Sequence, residues 1–157
     1  MQKITTFLWF NDKAEEAAHF YVSVFQNSKV LEVSRYTEGG TFPAGAVMVV
    51  RFQLDGQEYM ALNGFQDSPF TQAVSLVVNC TTQNEVDHYW DKLLAGGGSP
   101  IACGWLKDKY GLHWQVVPTA LLHYIQDKDK AKAARAMQAM MQMVKLDIAA
   151  LKKAYDG

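Results

Sequence analysis

The sequence predicts an α+β fold: two βαβββ modules forming a half-open barrel, plus C-terminal helices. Three observations carry this reading. Apolar residues alternate with period two in some stretches and recur every three or four residues in others, in the order β-α-β-β-β. The same order restarts after a turn-rich connector at 65–71, and a shift of 69 residues lays Thr6 on Ser75, Leu8 on Val77, Ala17 on Val86, Tyr21 on Trp90 and Val24 on Leu93. Of the 157 residues 49% are apolar and 20% charged, enough to bury a core and too balanced for a disordered chain. The chain is therefore read as a single domain over 1–157, with a first module at 1–64, a second at 73–118 and a helical C-terminal extension at 119–157.

The opening run Ile4, Thr5, Thr6, Phe7, Leu8, Trp9, Phe10 is β-branched and aromatic, which suits a half-buried strand, and it stops at Asn11. Asp12 is expected to cap a helix, with Glu15 completing a capping box. Within that helix Ala14, Ala17, Ala18, Tyr21, Val24 and Phe25 make one apolar stripe, which places it against a sheet. The period then returns to two. A strand over 30–36 leads into a loop over 37–45 marked by Gly39, Gly40 and Pro43, followed by strands over 46–54 and 57–63. Asp55-Gly56 between the last two signals a tight hairpin, because both residues tolerate positive φ.

The second copy begins with a strand over 73–80 and a cap at Thr81 or Thr82. Val86, Tyr89, Trp90, Leu93 and Leu94 form the apolar face of its helix, and Gly96-Gly97-Gly98 ends it. A short strand near 101–106, a turn around 108–111 and a strand over 113–117 stopped by Pro118 complete an abbreviated module. In the extension, Asp127 or Asp129 caps a long helix reaching Val144, and Asp147 caps another reaching Tyr155. Met137, Met140, Met141 and Met143 supply a flexible apolar stripe for docking on the body or on a second subunit. The cations Lys128, Lys130, Lys132 and Arg135 alternate with Asp127 and Asp129 and read as a solvated face.

Charge excludes the simplest partners. Fifteen Lys plus Arg against 16 Asp plus Glu offer no electrostatic footprint for nucleic acid. The least charged stretch, 65–85, carries Gln66, Asp67, Ser68, Pro69 and Asn79 and is no membrane span, and no charged-then-apolar signal segment opens the chain. Cys80 and Cys103 lack metal-binding spacing, and a reduced, cytoplasmic setting is expected.

A duplicated βαβββ unit of this length resembles the vicinal oxygen chelate superfamily, that of glyoxalase I, bleomycin-resistance proteins and extradiol dioxygenases. Phe7-Leu8-Trp9-Phe10 with Ala14-Glu15-Glu16-Ala17, Phe20-Tyr21 and Phe25-Gln26-Asn27-Ser28-Lys29 resembles its PhnB-like branch. Ala61-Leu62-Asn63-Gly64, Val78-Asn79-Cys80, Cys103-Gly104-Trp105-Leu106-Lys107-Asp108, Trp114-Gln115-Val116-Val117-Pro118 and Lys145-Leu146-Asp147-Ile148 agree, so the likeness runs through the whole chain. Part of that branch bears the description demethylubiquinone methyltransferase. A nucleotide cofactor normally needs a glycine-rich turn from strand into helix, and the two such turns here, Asn11-Asp12 and Cys80-Thr81-Thr82, contain no glycine. No cofactor is expected.

The resemblance also implies where a metal would sit, at the first and last strand of each module. By the repeat these positions fall near Thr6 and Asn63 in the first half and near Ser75 and Gln115 in the second, all neutral, whereas Zn, Fe, Mn or Ni asks for imidazole or carboxylate donors. No metal is expected. His113 shares a strand face with Gln115 and is the histidine with a ligand-contact reading, set against a bland polar strand position; His19, His88 and His123 lie on helices or in the extension.

The expected site is a cup between the modules, lined by Thr6, Asn63, Ser75, Gln115 and His113, with Trp105 and Trp114 flanking the final hairpin. Core packing is the plainer reading of the aromatics, and of Cys103. Cys80, beside a helix cap, is read as structural, with thiolate stabilisation by the helix dipole as its functional alternative. The leading expectation is a PhnB-like protein that binds an unidentified small molecule without metal, as a homodimer. A metal-assisted isomerase, lyase, dioxygenase or group-transfer enzyme is one alternative, and a dimeric drug-sequestration protein another.

Overall fold

The computed structural model describes residues 2–157. Two compact units divide at Pro69 and Phe70. The first contains β1 (Thr6–Phe10), α1 (Ala14–Val24), β2 (Lys29–Arg35), β3 (Val47–Leu54) and β4 (Gln57–Asn63), with sheet order β1-β4-β3-β2. β1 runs parallel to β4, the other neighbours antiparallel. Alternation decides which face is buried: Leu8, Phe10, Val50, Phe52 and Ala61 point to α1, where Tyr21 stacks on Phe52. Asp55 and Gly56 both take positive φ, 45° and 82°, in the β3–β4 hairpin, as their sequence signals.

The second unit repeats the plan with β5 (Ser75–Cys80), α2 (Gln83–Leu94), β6 (Ser99–Pro100), β7 (Trp105–Lys107) and β8 (His113–Pro118) in the order β5-β8-β7-β6. Both sheets are mixed and neither is a closed barrel, so the α+β class with two βαβββ repeats holds. The strand expected near 101–106 is interrupted. Ile101 donates to the Trp105 carbonyl and Trp105 to the Ala102 carbonyl, both at 2.9 Å, and Cys103 and Gly104 turn with φ of 55° and 84°. That turn separates β6 from β7 and gives the second module its full strand count.

The helix starts also differ from expectation in one case. Thr82 caps α2 by accepting from Glu85 N–H, while the Glu85 carboxylate accepts from Thr81 N–H at 2.6 Å and holds its proton less tightly than usual for that reason. Asp12 does not cap α1. The cap position is Lys13, without a side-chain bond, and the Ala14 N–H donates to Asn63 Oδ1 at 2.8 Å. A long-range acceptor has displaced a local one.

The extension forms α3 (Thr119–Ile125), which sequence periodicity had not marked, α4 (Lys130–Met141) and α5 (Ile148–Asp156). Asp129 and Asp147 cap the last two, as expected. Helix α4 stops at Met141 rather than Val144, because the Met143 and Val144 carbonyls accept from Cys103 and Gly104 N–H at 2.9 and 2.8 Å. Leu121, Leu146 and Leu151 make a buried cluster against Val117, Tyr124, Met140 and Met143, so the extension docks on its own unit. No helix among the described residues is long and apolar enough to cross a membrane.

Candidate functional site

In the second sheet, Val78, Cys80, Leu106, Trp114 and Val116 are buried on the side that receives Val86, Trp90 and Leu93 of α2. Period-two geometry then puts Ser75, Val77 and Asn79 of β5, and His113, Gln115 and Val117 of β8, on the opposite face. The register sets Ser75 beside His113, Val77 beside Gln115, Trp105 beside Gln115 and Lys107 beside His113. Ser75, His113, Gln115 and Trp105 therefore share one sheet face, and Val77 between them is 50% exposed.

Two details give this face its chemistry. Gln115 Nε2 donates to Ser75 Oγ at 2.9 Å, which leaves the serine proton and the glutamine carbonyl oxygen for another molecule. His113 is 8% exposed, and its Nδ1 has no hydrogen-bond partner. An unsatisfied buried polar atom costs roughly 1–3 kcal/mol, so it is a pointer to a missing group. Beside them Trp105 joins Gln72, Ile101, Ala102 and Cys103 around a hollow of about 410 Å³.

Trp114 does not belong here. It lies on the helix-covered face, 2% exposed, with Nε1 donating to Asp108 Oδ2 at 2.8 Å. Asp108 Oδ1 also accepts from Tyr110 and Leu112 N–H, so one buried carboxylate organises the β7–β8 turn. Sequence reading passed over Asp108 as a site residue, although an Asp before Lys109-Tyr110-Gly111 is an Asx-turn signal.

Thr6 and Asn63 also fall outside an open face. Thr6 alternates with Leu8 and Phe10 on the α1 side, and Asn63, 5% exposed and paired with Phe10, uses Oδ1 to hold the start of α1. The two sit at opposite ends of the β1–β4 pairing. For Thr6 the cause is a one-residue difference in loop length. Buried helix positions repeat at 69 residues, but buried strand positions repeat at 70, Leu8 matching Val78 and Phe10 matching Cys80. One residue of slip moves every strand side chain to the other face.

The groups that remain do not make up a metal donor set. Ser75 and Gln115 are neutral, Asn63 is committed to a backbone amide, and among the described residues no group of three His, Cys, Asp or Glu could hold an ion. Burial, with Glu85 adding to it, pushes the Cys80 thiol up to about 11, against the dipole-stabilised thiolate.

A family model, 3-demethylubiquinone-9 3-methyltransferase, matches residues 2–117. The PhnB protein of Bacillus cereus is 42% identical, with 75% of this chain covering all of that one at a TM-score of 0.68. A Pseudomonas aeruginosa protein shares 19% identity over 75% of this chain and 98% of its own, at a TM-score of 0.60. The fosfomycin resistance protein FosX of Listeria monocytogenes shares 13% over 75% and 93%, at 0.51, a likeness of fold. No curated protein matches the chain in sequence.

Proposed function

Because this chain belongs to the 3-demethylubiquinone-9 3-methyltransferase family, the PhnB-like branch of the vicinal oxygen chelate superfamily, we propose that it binds a small oxygenated molecule without a resident metal, on the open face of its second sheet. The observation that carries this reading is the buried, unpartnered Nδ1 of His113 beside the Gln115–Ser75 hydrogen bond. Together they offer donors and acceptors with no fixed charge, suited to a hydroxyl or carbonyl oxygen, while Trp105 supplies a flat apolar wall. The donor set supports the metal-free part of the reading.

We further infer a cytoplasmic homodimer. Its support is the pair of free cysteines and the exposure of Phe7 and Trp9 on the uncovered face of the first sheet. A thermal-shift and native mass-spectrometry screen of neutral diols, hydroxyketones and phenols against the full chain tests the binding reading. Stabilisation that disappears in both His113→Ala and Gln115→Ala supports it. Hits indifferent to both variants, or stoichiometric Zn, Ni, Mn or Fe after reconstitution, overturn it. A turnover abolished by His113→Ala at unchanged stability would instead place the protein among the superfamily's enzymes.

A further inference from the structure

The helical extension lies beyond residue 117, where the family match ends, and it is tied to one specific loop. Cys103 and Gly104 donate their amides to the Met143 and Val144 carbonyls at 2.9 and 2.8 Å. Leu146, fully buried, packs so closely on Gly104 that an added Cβ there would lie 2.9 Å from Leu146 Cδ1. The connection is locked from α2 as well: Gln83 donates Nε2 to the Leu146 carbonyl at 3.1 Å and accepts from Ile148 N–H at 2.8 Å, and Asp87 pairs with Lys145 at 2.8 Å.

Cys103 holds a positive φ of 55° in a non-glycine residue, a conformation that persists only where its surroundings impose it. The same loop walls the 410 Å³ hollow beside Trp105. We propose that residues 119–157 act as a strap that holds this loop in its left-handed turn, so that undocking of the extension and opening of the hollow are one equilibrium. The extension then controls access to a surface formed by the shared module, whatever ligand that surface takes, and the proposal stands apart from the binding reading above.

The two cysteines make it measurable. Cys103 lines the hollow, whereas Cys80 is buried with its thiol pushed up to about 11 and stays silent near pH 8. The experiment compares wild type, Gln83→Ala and Leu151→Asp as full chains, reading amide exchange over 101–105 and iodoacetamide modification of each cysteine. Leu151 lies in the buried cluster of the extension and is not a wall of the hollow, so its charged replacement releases the strap while leaving the loop's own sequence intact. The expected result is roughly tenfold faster exchange at Cys103 and Gly104, with a similar acceleration of Cys103 modification and none at Cys80. Faster exchange without faster Cys103 modification overturns the coupling. Unchanged exchange in both variants overturns the strap, and parallel modification of Cys80 does so too, since it marks opening of the whole unit.

Discussion

Gln115 and Ser75 lie on neighbouring parallel strands and are joined side chain to side chain, Nε2 to Oγ at 2.9 Å, on the face of the second sheet that α2 leaves uncovered. Both are half-buried, so the bond orients two groups and contributes little to holding the fold. Gln115→Ala should leave Tm within about 2 °C of wild type. The same change should weaken any ligand found by screening about tenfold, as titration calorimetry would read. A drop in Tm comparable to that of a core substitution would contradict this division of roles.

Asn63→Ala removes the acceptor that meets the first amide of α1 in a buried position. A loss of about 1–3 kcal/mol in urea unfolding is expected. Asp12→Ala, aimed at the residue that local pattern nominates as the cap, should change stability by less than about 0.5 kcal/mol.

Asp108 accepts hydrogen bonds from Tyr110 N–H, Leu112 N–H and Trp114 Nε1. Asp108→Ala strands these buried donors, and a destabilisation of about 3 kcal/mol or more should appear as a lowered midpoint in chemical denaturation. Equal midpoints for variant and wild type would show that the turn organises itself.

At Gly64 an added Cβ would lie 2.0 Å from Trp9 Cζ2, far inside van der Waals contact with the indole. Gly64→Ala must therefore move Trp9 and break its Nε1 bond to the Gln66 carbonyl, 2.9 Å long. A cost of about 1–3 kcal/mol and a shifted indole proton resonance are the expected signs.

The Tyr155 hydroxyl donates to Asp127 Oδ2 at 2.6 Å, anchoring the end of α5. The bond lowers the pKa of Asp127 and, as the largest cause, raises that of Tyr155 to about 12. A depressed carboxylate contributes stability above its ordinary pKa, near 4, and loses it as pH falls through the lowered value; a raised phenol contributes below about 10 and loses it as pH rises toward the higher one. The protection of α5 amides, taken relative to the intrinsic exchange rate at each pH, should thus be greatest between these limits, and Tyr155→Phe should flatten that profile at both ends.

The repeat, the order of its elements, the Asp55-Gly56 hairpin and the caps at Thr82, Asp129 and Asp147 were legible because each rests on residues near one another in the chain. The same holds for His113, Gln115 and Ser75, whose shared face follows from strand alternation once β5 and β8 are paired in parallel. Trp114, between His113 and Gln115 on β8, falls on the helix-covered face by that same alternation, and Asn63 is claimed by the distant Ala14 N–H; Thr6 was misplaced by register. A single offset of 69 residues aligns the helices, but the β1–α1 connection is one residue longer than the β5–α2 connection, and a strand reverses its faces over one residue.

By itself, then, the sequence determined a duplicated α+β chain and a neutral set of candidate groups, since hydrophobic period and turn chemistry are local properties. Tertiary structure alone decided which of those groups meet. It turned Asn63 into a helix anchor, sent Trp114 to Asp108, joined Gln115 to Ser75 and drew the Met143 and Val144 carbonyls onto Cys103 and Gly104. Those outcomes depend on register and on competition among distant donors for one acceptor, and neither quantity is written in the spacing of residues along a chain.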